Sequence, residues 1–492
     1  MKHFLLWVTG CLVSTQLFAA AADKAVFRAG AAASNITPVL GGEIVGNFVR
    51  PIATNVHDEL HARCLVLDDG KTRLALVVCD LLGISRSLSD EARKLIQQDT
   101  GIPPEHVLIS AVHTHSACVA SGKGTPGEYS KFVAQRIADG VQTAIGRLRP
   151  AQAAFVTAEA PDHVFNRRWF MKPGTVPPNP FGGEDRVKMN PPGGSPDLVE
   201  PAGPTDPTVS VLALREPEGR PIAVYSAYSL HYVGGTRDGD ISADYYGMYC
   251  GELKRLLGAR DFDPPFVAMM ANGTSGDINS INFRKPRPSL PPYVRMRAIA
   301  DDIAGKVHAS LAKAEYRGSV TLAARYRELT IGSRQPTAEQ LAWAKATLAK
   351  PAPKSNKVDM PAIYARRTLD VAAQPKTRLA PLQVFRVGPV CIASMPCEVF
   401  CEIGLEFKKR SAVQPAFMVS LSHDGLGYLP TPRHFELGGY ETWLGTSRME
   451  PQASEKMLAA VLEMTAEVKK ERSHREVSHS GVPQNISKEI RP

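Results

Sequence analysis

The order of apolar and polar positions along the chain predicts strands alternating with helices. Cys64-Leu65-Val66-Leu67 and Leu74-Ala75-Leu76-Val77-Val78-Cys79 are apolar runs on either side of Asp68-Asp69-Gly70, which predicts an antiparallel hairpin. A helix is expected over 89–98, and the run Val107-Leu108-Ile109-Ser110-Ala111-Val112 reads as a buried strand. Over 128–148, Phe132, Ile137, Val141 and Ile145 recur near one face of a second helix. Residues 172–207 break the pattern with dense Pro and Gly, as a surface excursion or the rim of a site. Strands resume at 209–214 and 222–225, followed by a helix over 246–257 and a strand over 266–270. Thr337 with Gln340 forms a capping box that opens a helix to about Leu348, and the Lys/Pro-rich stretch 350–357 reads as a linker or exposed loop. Residues 382–387 and 390–394 flank Gly388-Pro389 as another hairpin. There is no internal repeat. The alternation implies an α/β fold of mixed β-sheets with flanking helices.

The ends of the chain read differently. Met1-Lys2-His3, an apolar stretch over 4–17 and the small residues before Asp23 make a secretory signal over 1–22, with cleavage between Ala20 and Asp23. Val8-Thr9-Gly10-Cys11 resembles a lipoprotein processing site but leaves an unusually short apolar region, so lipidation is the minor reading. No later segment is long and apolar enough for a transmembrane helix. The expected product is secreted or periplasmic, with one large domain over 23–468 and a charged, disordered tail over 469–492.

With 492 residues, 43% hydrophobic and 22% charged, the chain can bury a large core. The formal charge of +9 is spread along the sequence and is mainly solvated surface, though it also suits peripheral contact with an anionic membrane or substrate. The basic residues form no compact stripe with aromatics, which argues against nucleic acid. Beyond Cys11 stand Cys64, Cys79, Cys118, Cys250, Cys391, Cys397 and Cys401, an odd number that leaves at least one thiol unpaired. Cys397 and Cys401 invite a bridge or metal reading, but no second pair at zinc-site spacing supports it.

His113-Thr114-His115-Ser116 is the most informative stretch. Residues two apart on a strand point to one side. Both imidazoles therefore leave the strand end together, one able to bind an ion and the other to move protons. An isolated pair of this kind is as often solvated or satisfied within a core. Other polar residues follow apolar runs: His231, Asp277 in Gly276-Asp277-Ile278-Asn279, and Glu398 after Met395-Pro396-Cys397. Taken singly, each is more often structural.

In order, Ser34-Asn35-Ile36-Thr37-Pro38, His57-Asp58-Glu59-Leu60-His61, His113-Thr114-His115-Ser116, Asn166-Arg167, Leu230-His231, Gly276-Asp277, Met395-Pro396-Cys397-Glu398 and the Tyr428 to Tyr440-Glu441 block resemble the catalytic domain of neutral/alkaline non-lysosomal ceramidases. The resemblance spans roughly residues 30 to 465. It implies Zn2+ held by His113, His231, Glu398 and Tyr428, and a metal-activated water attacking an amide carbonyl. His115 would be the general base and acid, while Tyr440 and Arg167 would stabilise the oxyanion. The implied substrate is a small-molecule or lipid amide, with ceramide (N-acylsphingosine) as the family's own.

The sequence departs from the family in three places. Where the family carries Gly-Asp-Val-Ser-Pro-Asn, this chain has Asn279 in place of the active-site serine, unless Ser280 takes it over through an inserted residue. Asn279 can donate a hydrogen bond but cannot be a nucleophile. The family's C-terminal β-sandwich-like domain is expected to be missing, and the 172–207 excursion is expected to reshape the pocket mouth. Two other readings stay open: the same site acting on a different amide or ester, and a catalytically silent binding protein on the same fold.

Overall fold

Period-two alternation decides which side of each strand faces which layer. In the strand His61–Asp68, Cys64 and Val66 point one way and Leu65 and Leu67 the other. Cys64 and Val66 pack beneath helices Arg86–Thr100 and Glu128–Gly146, against Leu88, Ile96, Ile137 and Val141. Leu65 and Leu67 join a second core with Val209, Val211, Tyr225 and Met269. The computed structural model describes residues 26–120, 127–351 and 358–477. The expected signal segment, most of the expected linker (352–357) and the end of the tail (478–492) lie outside the described residues.

The first sheet runs Val107–Ala111, Arg73–Cys79, His61–Asp68, Arg28–Asn35, Arg149–Pro150. Its central hairpin is antiparallel, as predicted, and Val107–Ala111 joins in parallel. The second sheet runs Val267–Asn272, Pro221–Tyr228, Thr208–Arg215, Gln152–Glu159. Helices Asp244–Leu256 and Val294–Leu311 share its core through Tyr245, Leu253, Ile299 and Ile303. A third sheet, Leu322–Gly332, Thr377–Val387, Val390–Ser394, Ala416–Val419, packs Phe385, Ile392 and Phe417 into that same core. Its other face, with Leu382 and Val384, meets Met457, Val461 and Met464 of helix Ala453–Val477. The fold is α/β, with mixed sheets and flanking helices.

Local signals mostly hold. Thr337 and Gln340 make both bonds of the capping box that starts helix Ala338–Leu348. Ser85 caps Arg86–Thr100, so that helix starts three residues before the expected 89. One expectation needs correction, and two gain detail. Phe132 is exposed: the buried stripe of its helix is Val133, Ile137, Val141 and Ala144. The 172–207 excursion is partly ordered, since Val187–Met189 and Leu198–Pro201 flank Arg168–Met171 in a small sheet. The final helix runs on to Val477, past the expected domain end at 468.

The three sheets meet at strand ends. The Ser420 N–H donates to the Asn272 carbonyl and the Ala111 N–H to that of Leu421, and Ser110 bridges Ser422. The residues just beyond these ends converge on one point.

Candidate metal centre

The strand Val107–Ala111 stops two residues before His113, which takes φ 78°. A non-glycine residue held there costs on the order of 1–3 kcal/mol, and such strain collects at functional sites. The turn brings His113 and His115 together edge to face, with centroids 4.8 Å apart and Nε2 atoms 3.2 Å apart. The rings do converge, but through this left-handed turn and not through the strand alternation expected from sequence.

His113 Nδ1 lies 2.7 Å from the Leu82 carbonyl oxygen, and His231 Nδ1 lies 3.0 Å from that of Ser275. A ring nitrogen facing a carbonyl carries the proton, so both Nε2 atoms present lone pairs. They face Glu398 Oε2 at 3.3 Å and 3.7 Å. That oxygen is buried and has no hydrogen-bond donor. Acceptors crowded together without a hydrogen between them repel one another unless a cation joins them. Two donors about 2.0–2.1 Å from a tetrahedral zinc ion lie about 3.3 Å apart, as His113 and Glu398 do, while His231 stands wider at 3.7 Å from Glu398. His113, His115 and His231 form a group able to hold a metal ion.

Charges around the group suit that reading. Burial, followed by the neighbouring His113 and Arg167, pushes His115 well below the usual histidine range. Burial, Arg167 and the other two histidines do the same to His231. Burial works to raise the Glu398 carboxyl, but His113, Tyr428 and Arg167 outweigh it and hold it below its ordinary value. Glu398 and Tyr428 sit directly opposite each other in a short parallel pairing. Burial pushes the Tyr428 hydroxyl well above its usual range, against the pull of Arg167. Gly276 lies under this pairing, where a Cβ would come 2.5 Å from the Glu398 carbonyl oxygen.

His115 is held more loosely than the other two. Its ring stacks on Tyr232 at 3.5 Å, and its Nδ1 faces Asn47 Oδ1 at 3.4 Å. Gly46 packs against the same ring: φ is 116°, and a Cβ would fall 2.5 Å from the imidazole.

Arg167 Nε donates to Glu441 at 2.8 Å and its Nη2 to the Gly276 carbonyl at 2.8 Å, while the guanidinium carbon stands 5.3 Å from the Tyr428 ring centroid. Arg168, which dilutes the sequence signal, is fully buried and donates to the other Glu441 oxygen at 2.6 Å. Tyr440 lies edge-on to Tyr428 at 5.8 Å and lines the cleft. The excursion braces Tyr440 from behind, with Asp185 accepting from the indole of Trp443 at 2.8 Å.

Asp277 and Asn279, both expected from sequence to be catalytic, are engaged by neighbouring groups. Asp277 accepts from the Cys401 N–H at 2.8 Å and from the Asn166 amide at 2.7 Å, and burial raises its carboxyl to about 6. The Asn279 amide donates to Asn190 at 2.6 Å and accepts from the Ile281 N–H at 2.9 Å, so both its ends are engaged. The seven described cysteines are free and buried, so Cys397 and Cys401 form no bridge. Sequence reasoning missed Tyr232, Gly46 and Asn47, and gave Glu441, quoted beside Tyr440, no role of its own. Tyr232 directly follows His231, a signal within reach; Gly46 and Asn47 carried none.

A cleft of about 670 Å³ opens over His113, His115, Glu398, Tyr428 and Tyr440, with Arg367 and Arg448 on its walls. Beside it lies an apolar groove of about 610 Å³ lined by Pro38, Val39, Cys118, Tyr129 and Phe132. Val119 lines both.

The architecture is that of a neutral ceramidase-like fold. Among similar solved structures is the neutral ceramidase from Pseudomonas aeruginosa, with a TM-score of 0.67 and 17% identity over 91% of this chain and 75% of that one. A ceramidase complexed with C2 matches with a TM-score of 0.67 and 16% identity, over 91% of this chain and 76% of the other. No family model matches the sequence.

Proposed function

We propose that this chain is an exported zinc amidohydrolase that cleaves an N-acyl amide bearing an apolar chain, of the ceramide type, to an amine and a fatty acid. One observation carries the reading: a buried Glu398 oxygen without a hydrogen-bond partner faces the Nε2 atoms of His113 and His231 at 3.3 Å and 3.7 Å. Imidazole and carboxylate are good zinc donors. His113, His231 and Glu398 are the proposed ligands, with Tyr428 as the fourth. An ion held there supplies Lewis acidity toward an amide carbonyl and toward water.

The surrounding side chains have separate tasks. His113 and His231 are each locked by a backbone carbonyl, as ligands need to be. His115, loosely held at the cleft, accepts a proton from the attacking water and returns it to the departing nitrogen. Tyr440 and Arg167 donate to the developing oxyanion. Asp277 positions the start of helix Cys401–Arg410 and Asn166, while Asn279 braces the excursion; neither is the nucleophile. The apolar groove that meets the cleft at Val119 takes an alkyl chain, which favours a lipid amide over a small polar one.

A second reading rests on Arg367 and Arg448: the same chemistry on a polar or anionic amide or ester. Hydrolysis by the zinc-loaded protein over N-acylsphingosines and short N-acyl amides separates the two. The expected result is higher kcat/KM with the longer chain. Zinc bound without hydrolysis of any amide or ester would leave a binding protein.

A further inference from the structure

The arginines around the centre differ in what they are paired with. Arg167 and Arg168 share Glu441, and Arg50 meets Glu43 at 3.2 Å. Arg367 and Arg448, both on the cleft wall, form no ion pair with a carboxylate among the described residues. Arg367 is held by neutral oxygens: its Nη1 donates to the Tyr364 hydroxyl at 3.2 Å and to that of Thr446 at 3.3 Å. Gly445, with φ 92°, makes room for it, since a Cβ there would fall 2.7 Å from the Cβ of Arg367. Arg448 Nε donates to the Gly445 carbonyl at 3.4 Å, and the residue is open to solvent. Desolvation within the cleft, followed by Arg378 and Arg367, lowers the Arg448 guanidinium from its ordinary value. Among the described residues on the cleft wall, Glu398 is the only acid. The apolar groove has the opposite charge, since its only ionisable carboxylates or cations are Glu43 and Glu128.

We propose that Arg367 and Arg448 form a subsite for an anionic group on the amine half of the substrate. The preferred substrate is then a long-chain N-acyl amide whose amine carries a carboxylate or a phosphate, as an N-acyl amino acid does. The proposal rests on the lipid-amide reading, in which the groove takes the acyl chain. With the carbonyl at the metal centre, the amine half is left to the rest of the cleft, whose wall carries both guanidiniums. The groove cannot take the anion, because Glu43 and Glu128 repel it. A guanidinium without a carboxylate gains short, charge-assisted and bidentate bonds from an oxyanion. Groove and arginines therefore serve two halves of one molecule. Hydrolysis of such an amide consumes one water. The hydroxyl ends on the acyl carbon and the proton on the departing nitrogen, giving a fatty acid and an amino acid or aminoalkyl phosphate.

The test compares amides with one acyl chain and different amine halves on the zinc-loaded protein: N-dodecanoylglycine, N-dodecanoyl-O-phosphoethanolamine and the neutral N-dodecanoylethanolamine. An anionic amide is expected to exceed the neutral one by about tenfold or more in kcat/KM, and the one that leads identifies the anion. Arg448→Met is expected to lower that ratio by about tenfold, through KM more than kcat, and Arg448→Lys to restore part of it. Thermal midpoints equal to that of the wild type would exclude misfolding. Calorimetry on the His115→Ala variant reads binding apart from turnover and is expected to give the same order. Equal kcat/KM for anionic and neutral amides, or a ratio that Arg448→Met leaves in place, overturns the proposal, while hydrolysis of the neutral amide would keep the lipid-amide reading. Anion-dependent binding without hydrolysis of any amide would sink the reaction reading and leave the subsite standing.

Discussion

The candidate metal centre and the 39–52 rim border one cleft and are built by opposite rules. At the centre, His113 and His231 are buried beyond strand ends beside the buried Glu398 Oε2, and backbone carbonyls fix both imidazoles. At the rim, apolar side chains stand in solvent on a hairpin whose Ile44 and Val45 pair with Cys118 and Ala117. Chemistry that needs donors placed within tenths of an ångström is carried by the sheets. The surface that surrounds that chemistry is left to a loop.

That contrast can be broken most severely at the centre. His113→Ala is expected to remove the bound metal and activity together, by metal analysis and turnover. His115→Ala is expected to keep the metal and lose about 10²–10⁴ in kcat. Loss of metal in that variant would make His115 a ligand, as its 3.2 Å approach to His113 allows. Glu441→Ala leaves the Arg167 and Arg168 guanidiniums buried without their carboxylate and is expected to cost about 3–5 kcal/mol in denaturant unfolding. On the rim side, Val119→Phe narrows the junction of groove and cleft. It is expected to lower the long-chain to short-chain ratio of kcat/KM by about tenfold and to leave metal content unchanged.

The smallest effect is a pH dependence. Burial, helped by Arg168 and Arg433, holds His434 at about 3. Between about pH 6 and 4 the unfolded chain, with an ordinary histidine near 6.5, binds a proton there that the folded chain does not. His434 therefore takes away stability as pH falls through that window. His434→Gln is expected to reduce the slope of unfolding free energy by about 1.4 kcal/mol per pH unit. Buried Asp244 and Asp277, each raised to about 6, work in the opposite direction and cancel in the comparison with wild type.

Much of this was legible in the chain because the signals were local. The 64–79 hairpin, the capping box at Thr337 and the strand before His113 follow from residues near in sequence. Resemblance to a family, and not periodicity, marked His231, Glu398 and Tyr428 as companions of His113, and three sheets have to meet before they share a point. Phe132 was misplaced because its helix can be rotated by one position without spoiling the pattern. Asp277 and Asn279 looked catalytic in sequence, yet each amide or carboxylate oxygen is taken by a neighbour. Gly46 was invisible, since nothing in the sequence says that a glycine more than sixty residues away must admit the His115 ring.

Metal content of the purified protein, measured by elemental analysis beside its Glu398→Gln variant, tests the central claim most directly. The account predicts about one zinc per chain in the wild type and a large loss in the variant. A wild type that takes up no divalent ion, or a variant that retains it in full, would contradict it.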